Sequence, residues 1–182
     1  MQCVATEIAD VIEITPQVHG DRRGFFKEVW HRTRFAAAGL DMEFVQDNQS
    51  RSAQGTLRGL HFQARQPQGK LVQALAGEIF DVAVDLRRSS PDFGRWTGRL
   101  LSAERHNMLW VPAGFAHGFY VISDYADVAY KCTDFYAPEH ERELLWNDAD
   151  VGIAWPLVDG RPPLLSAKDA RGTRFAELEF FP

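Results

Sequence analysis

The stretch that most constrains the fold is Gly77-Glu78-Ile79-Phe80-Asp81-Val82-Ala83-Val84-Asp85-Leu86. Phe80, Val82, Val84 and Leu86 fall on one face, and Asp81 and Asp85 on the other. That period of two belongs to a strand and does not fit a helix. Further short strands are predicted at 71–76, 98–102, 108–111, 119–122 and 128–133. Turn residues separate them: Gly77, the Ser89-Ser90-Pro91 corner, Pro112 with Gly114, and Ser123-Asp124. Many short, evenly spaced strands predict a sandwich or barrel. One early helix is expected at 32–38, where Phe35 precedes three alanines and Gly39 stands as a C-terminal cap. Pro156, Pro162 and Pro163 mark an irregular C-terminal arm that should wrap back over the body. The chain has no internal repeat, low-complexity tract or long linker.

A length of 182 residues suits one domain, and a 45% hydrophobic content can fill a core. The formal net charge of -5 argues against nucleic acid or an anionic membrane as partner, since both reward a basic face. An acidic protein can still hold a basic pocket for an anionic small molecule. Two cysteines, Cys3 and Cys132, make neither a disulfide framework nor a zinc motif. The first residues have no basic stretch followed by an apolar core, and no apolar run approaches spanning length, so the cytoplasm is the expected compartment.

Two segments carry candidate chemistry. Gly55-Thr56-Leu57-Arg58-Gly59-Leu60-His61-Phe62-Gln63 and Pro112-Ala113-Gly114-Phe115-Ala116-His117-Gly118 each deliver a histidine beside a glycine. Together they resemble the two signature halves of the cupin, or jelly-roll, barrels. Metal-binding cupins add H-x-H and a nearby carboxylate to the first half. Here Gln63 follows Phe62, and no acidic residue appears before Glu78. Two histidines without a carboxylate make a poor set of ligands for a transition metal, so a metal-free barrel without a cofactor is expected. The alternative is that both histidines are structural, satisfied by backbone groups, a reading that fits His117 better than His61. Strict alternation also puts Arg58 and His61 on opposite faces of one strand. A bulge at Gly59 would restore a shared face; the sequence leaves both arrangements open.

A wider set of strings recurs in one order: Gly20-Asp21-Arg22-Arg23-Gly24-Phe25-Phe26, Phe44-Val45-Gln46-Asp47-Asn48, Leu57-Arg58-Gly59-Leu60-His61, Gln68-Gly69-Lys70-Leu71-Val72, residues 77–85 around the strand predicted at 79–86, Gly114-Phe115-Ala116-His117-Gly118-Phe119, Trp146-Asn147-Asp148 and Ser166-Ala167-Lys168-Asp169. This set, spread over nearly the whole chain, resembles the dTDP-4-dehydrorhamnose 3,5-epimerase family. The resemblance implies a mainly β, cupin-like jelly roll with a few short helices. It would form a single epimerase domain of residues 1–182, with the barrel at about 45–145 and the N-terminal strand and C-terminal arm packed on it. It also implies a homodimer that exchanges an N-terminal strand, and a dTDP-linked keto-sugar as substrate.

The family reaction inverts carbons on either side of a ketone. It needs a base, an acid across the ring and a group to hold the enolate oxygen. By resemblance His61 is the base, and imidazole suits the task because it titrates near neutral pH. Asp169 would pair with it, and Tyr130 would be the proton donor, protonated at neutral pH by its ordinary pKa of about 10. Lys70 would face the C4 oxygen. Arg23, Arg58 and Lys168 would hold the diphosphate. Phe26, Glu28, Gln46, Asp47, Asn48, His117 and Glu141 would complete the substrate site, with Tyr136 stacked on thymine. The chain departs from the family's common residues at His19, Gln49, Phe62 and Cys132, none of them assigned to proton transfer. Three alternatives share the fold: an epimerase acting at C3 or C5 alone, a ketoisomerase, and a non-catalytic sugar- or metal-binding cupin.

Overall fold

A computed structural model describes all of residues 1–182. Its strands in chain order are β1 (Gln2–Ala5), β2 (Ile12–Thr15), β3 (Val18–Asp21), β4 (Gly24–Lys27), β5 (Gln46–Ala53), β6 (Leu57–Gln63) and β7 (Lys70–Ala76). They continue with β8 (Glu78–Asp85), β9 (Trp96–Ser102), β10 (Met108–Val111), β11 (Phe115–Val121), β12 (Tyr125–Cys132) and β13 (Glu141–Glu143). The single α-helix, α1 (Arg32–Ala37), lies between β4 and β5. As expected, Gly39 follows it with φ of 85°, a conformation that costs glycine little, and its amide donates to the Ala36 carbonyl.

Two antiparallel sheets form the jelly roll, in the orders β1-β2-β10-β7-β12-β5 and β13-β6-β11-β8-β9. Strands β3 and β4 make a separate hairpin. Between the sheets lies an apolar core that includes Val72, Ile79, Ala83, Leu109, Phe119 and Val128. Alternation gives these strands a second use. Lys70 shares a strand face with Val72, Tyr130 with Val128, and His117 with Phe119. One side of each strand therefore supplies apolar filling along part of its length and polar groups farther along.

The β8 alternation holds, but both of its faces are buried. Val82, Val84 and Leu86 lie under the C-terminal arm, packed with Val151, Leu178, Phe175, Phe180 and Phe181. Asp81 and Asp85 are fully buried. A buried carboxylate must be paired, and each one is. Asp81 meets His117. Asp85 accepts from the Arg87 amide, from the Arg87 guanidinium and from Ser90. The arm itself runs as short 3-10 turns, in keeping with its prolines. Its residues Asp169–Arg171 come back against β6.

Candidate active site

The site begins with a register irregularity. His61 on β6 lies opposite His117 on β11, and Arg58 lies opposite Phe119. Three steps along β6 thus face two along β11, so β6 carries one extra residue, a β-bulge. The bulge resolves the alternation problem: Arg58 and His61 line the same cavity. Gly59 is required there. Its φ is 117°, and a Cβ would stand 2.6 Å from the Gly118 Cα and 2.7 Å from the His117 carbonyl oxygen.

His61 Nε2 lies 2.7 Å from Asp169 Oδ1. Asp169 is buried, and its carboxylate also accepts from the Ser166 hydroxyl (2.6 Å) and the Gly59 amide (3.2 Å). Burial pushes this carboxyl up, but the bonds from His61 and Ser166, with Gly59 adding to them, win and hold it down to about 2. An ionised carboxylate only accepts, so Nε2 carries the proton in neutral His61 and Nδ1 keeps a free lone pair. A second, similar pair stands beside it. His117 Nε2 lies 2.9 Å from Asp81 Oδ2, and both side chains are buried.

Both histidines open on a cavity of about 300 Å³ that also holds Arg58, Lys70, Tyr130, Lys168 and Asp169. Burial lowers the Lys70 pKa, opposed by Cys132, Glu141 and Asp81. Burial raises that of Tyr130, which keeps its hydroxyl protonated. Arg58 Nε donates to Ser52 Oγ at 2.9 Å, which fixes the guanidinium at the rim.

A second cavity of about 320 Å³ shares His61, Lys70 and Tyr130 with the first and adds Gln46, Asn48, Gln68, Tyr136 and Glu141. Its polar groups are linked in sequence. Gln46 donates to Asn48 and accepts the Tyr136 amide, and the Tyr136 hydroxyl donates to Glu141 at 2.7 Å. Lys168 Nζ closes the chain with ion pairs to Glu141 (2.5 Å) and Glu143 (3.1 Å). The connected cavities have an acid–base end and a flat, hydrogen-bonding end with an exposed aromatic ring.

Residues 5–177 match the dTDP-4-dehydrorhamnose 3,5-epimerase family. A dTDP-4-dehydrorhamnose 3,5-epimerase of Pseudomonas aeruginosa is 57% identical over the full length of both chains. The chain belongs to the dTDP-4-dehydrorhamnose 3,5-epimerase family. Among solved structures, a dTDP-6-deoxy-D-glucose-3,5-epimerase from Legionella pneumophila in complex with dTDP-4-keto-L-rhamnose superposes with a TM-score of 0.94. It is 49% identical, with 97% of this chain and 94% of that chain covered. A 3'-monoepimerase from Streptomyces bikiniensis in complex with dTDP-quinovose superposes with a TM-score of 0.87. It is 35% identical, with 94% and 87% covered. The cupin-like jelly roll and the epimerase class expected from the sequence are those of this family.

Not every residue expected at an epimerase site lies at these cavities. Arg23 and Phe26 sit on the β3–β4 hairpin and line a different cavity with His19 and Phe25. Arg23 is 84% exposed and paired only with Asp21, and Phe26 is 70% exposed. Glu28 pairs with Arg34. Asp47 points the other way from Asn48, as alternation requires, and pairs with Lys131. Three site residues were missed from the sequence. Asp81 stands in a polar position of β8 and could have been matched to a histidine. Ser166 begins the Ser166-Ala167-Lys168-Asp169 string and caps Asp169. Glu143 left no sequence signal; it enters because β13 pairs with β6 and places it opposite His61.

Proposed function

We propose that this chain converts dTDP-4-dehydro-6-deoxy-D-glucose into dTDP-4-dehydro-L-rhamnose by inverting C3 and C5. The observation that carries the reading is the meeting of His61, Asp169, Lys70 and Tyr130 at one cavity. His61 Nδ1 takes a proton from the carbon next to the C4 ketone, and the electron pair moves onto the C4 oxygen as an enolate. The Lys70 ammonium faces that oxygen, in a site where burial strengthens a charge interaction. The Tyr130 hydroxyl then gives a proton to the opposite face of the carbon. The proton on His61 passes to solvent, and water restores the one lost by Tyr130. Asp169 is a positioning residue: it holds the His61 tautomer and stabilises the imidazolium formed in the first step.

In this reading Arg58 and Lys168 hold the diphosphate. Tyr136 stacks on thymine while Gln46, Asn48 and Glu141 fix the nucleoside, and His117 binds the sugar end. Arg23, Phe26 and Glu28 reach the site from the hairpin of a second copy, with Asp47 at its edge. That makes the working form a homodimer of single-domain chains acting in the cytoplasm. The large exposure of Phe25 and Phe26 supports this, because adjacent exposed phenylalanines on a hairpin favour a covering surface. No helix is long and apolar enough to cross a membrane.

Inversion at one carbon is the nearest alternative. The relative that carries the 3,5-epimerase name is 57% identical, against 35% for the monoepimerase structure, and this favours inversion at both. The test is incubation with dTDP-4-keto-6-deoxyglucose in deuterium oxide. Label at both C3 and C5 is expected; label at C3 alone would overturn the double inversion. A shifted ketone in the product would show a ketoisomerase instead.

A further inference from the structure

We propose that His61, Glu141 and Glu143 form an inhibitory site for a borderline divalent transition metal such as Zn²⁺. A ring nitrogen of His61 and carboxylate oxygens of Glu141 and Glu143 lie within 4.8 Å of one another. The arrangement follows from the sheet. β13 pairs with β6 so that Glu143 faces His61 and Glu141 faces Gln63, and the two glutamates, two residues apart, share a strand face. Zinc holds nitrogen and oxygen ligands tetrahedrally at about 2.0–2.2 Å, so two ligand atoms on one ion stand about 3.3–3.6 Å apart. Rotamer movement of about an ångström in each glutamate closes the set.

Two further features prepare the place for a cation. One is that it holds a cation already: the Lys168 ammonium bridges Glu141 and Glu143. Its side chain is 42% exposed, so it can swing to solvent when a metal arrives. The other is the Asp169–His61 pair. A buried carboxylate that takes one imidazole N–H orients the ring and leaves the other nitrogen as a better ligand. The feature that makes His61 a base therefore also makes it a metal ligand. One imidazole with two carboxylates suits Zn²⁺ or its neighbours, whereas Mg²⁺ and Ca²⁺ prefer oxygen alone. Bound metal would occupy the His61 lone pair and stop proton abstraction.

This goes beyond the proposed reaction and is measured without it. ZnCl₂ titrated into the full chain by calorimetry should show one site per chain, absent with MgCl₂. Glu143→Gln, close to isosteric, should weaken binding by at least about tenfold, and Asp169→Asn by about 10- to 100-fold. Lys168→Met should tighten it, because the resident cation is gone. Thermal melts of each variant confirm that it is folded. Activity, compared with each variant's own metal-free rate, should fall with Zn²⁺ in the same order and return on adding EDTA. Absence of Zn²⁺ binding would overturn the proposal. So would binding insensitive to Glu143→Gln, which would place the ion elsewhere, or binding that Lys168→Met weakens or leaves unchanged.

Discussion

Asp169→Asn separates two things a carboxylate can do for a histidine: fix its tautomer and stabilise its charge. The Asp169 carboxyl sits at about 2 in the folded protein against 3.8 unperturbed. At about 1.4 kcal/mol per unit, that difference is about 2 kcal/mol of stability. Because the folded value is the lower one, this contribution is complete above pH 3.8 and disappears as pH falls through about 2. The asparagine variant should lose about 2 kcal/mol at neutral pH, with the gap to the parent closing in acid. The tautomer should survive. The Gly59 amide needs an acceptor, so the Asn oxygen stays toward Gly59 and His61, and the new NH₂ turns to Ser166, whose hydroxyl can rotate to accept. What is lost is the charge opposite the imidazolium. A hydrogen bond to a charged group is worth about 1.5–3 kcal/mol, which becomes a fall in kcat of about 10- to 150-fold. Urea unfolding at several pH values and a coupled reductase assay measure both effects. An unchanged kcat would refute the dyad. A loss near ten-thousandfold, the size about expected for a wrong tautomer, would refute the expected orientation of the asparagine, with its oxygen toward His61 and Gly59.

Gly59→Ala should cost about 3 kcal/mol or more, from a positive φ and a Cβ driven into the Gly118 and His117 backbone. It should also lower kcat by about a hundredfold through displacement of His61; denaturation and turnover measured together check it. The lowered Lys70 pKa predicts that activity falls on the alkaline side below the ordinary lysine value of about 10.4, since the ammonium is lost as pH rises. Lys70→Arg should move that limb upward in a pH–rate profile. Mixing Arg23→Ala chains with His61→Ala chains should restore activity toward about a quarter of the parent's, because a crossed hairpin rebuilds one intact site in each mixed dimer. No gain over the separate variants would place the hairpin in its own chain's site.

Much of the barrel was readable because its strands keep a period of two. The 108–111 strand has the expected bounds, and 71–76 and 98–102 differ only at their starts. Strand β5 was not predicted: Gln46–Ala53 is polar on both faces, so no apolar alternation marks it. The β3–β4 hairpin, four residues a side and mostly exposed, was equally silent. The fates of Asp81 and Asp85 show a different limit. The sequence displays a carboxylate opposite an apolar face, and only the fold reveals that a histidine and an arginine let each one be buried. Arg58 and His61 mark a third limit, since a single inserted residue reverses every inference from parity. Asp169, 108 positions from His61, could be paired with it only through family resemblance, because an irregular arm carries no periodic signal of where it docks.

The central claim is that His61 removes a proton from a carbon beside the ketone. Its most direct test is solvent-deuterium incorporation into dTDP-4-keto-6-deoxyglucose by the parent enzyme and by His61→Ala, read by nuclear magnetic resonance at C3 and C5. Label is expected at both carbons with the parent and at neither with the folded variant. Exchange at a near-parent rate in His61→Ala would contradict it.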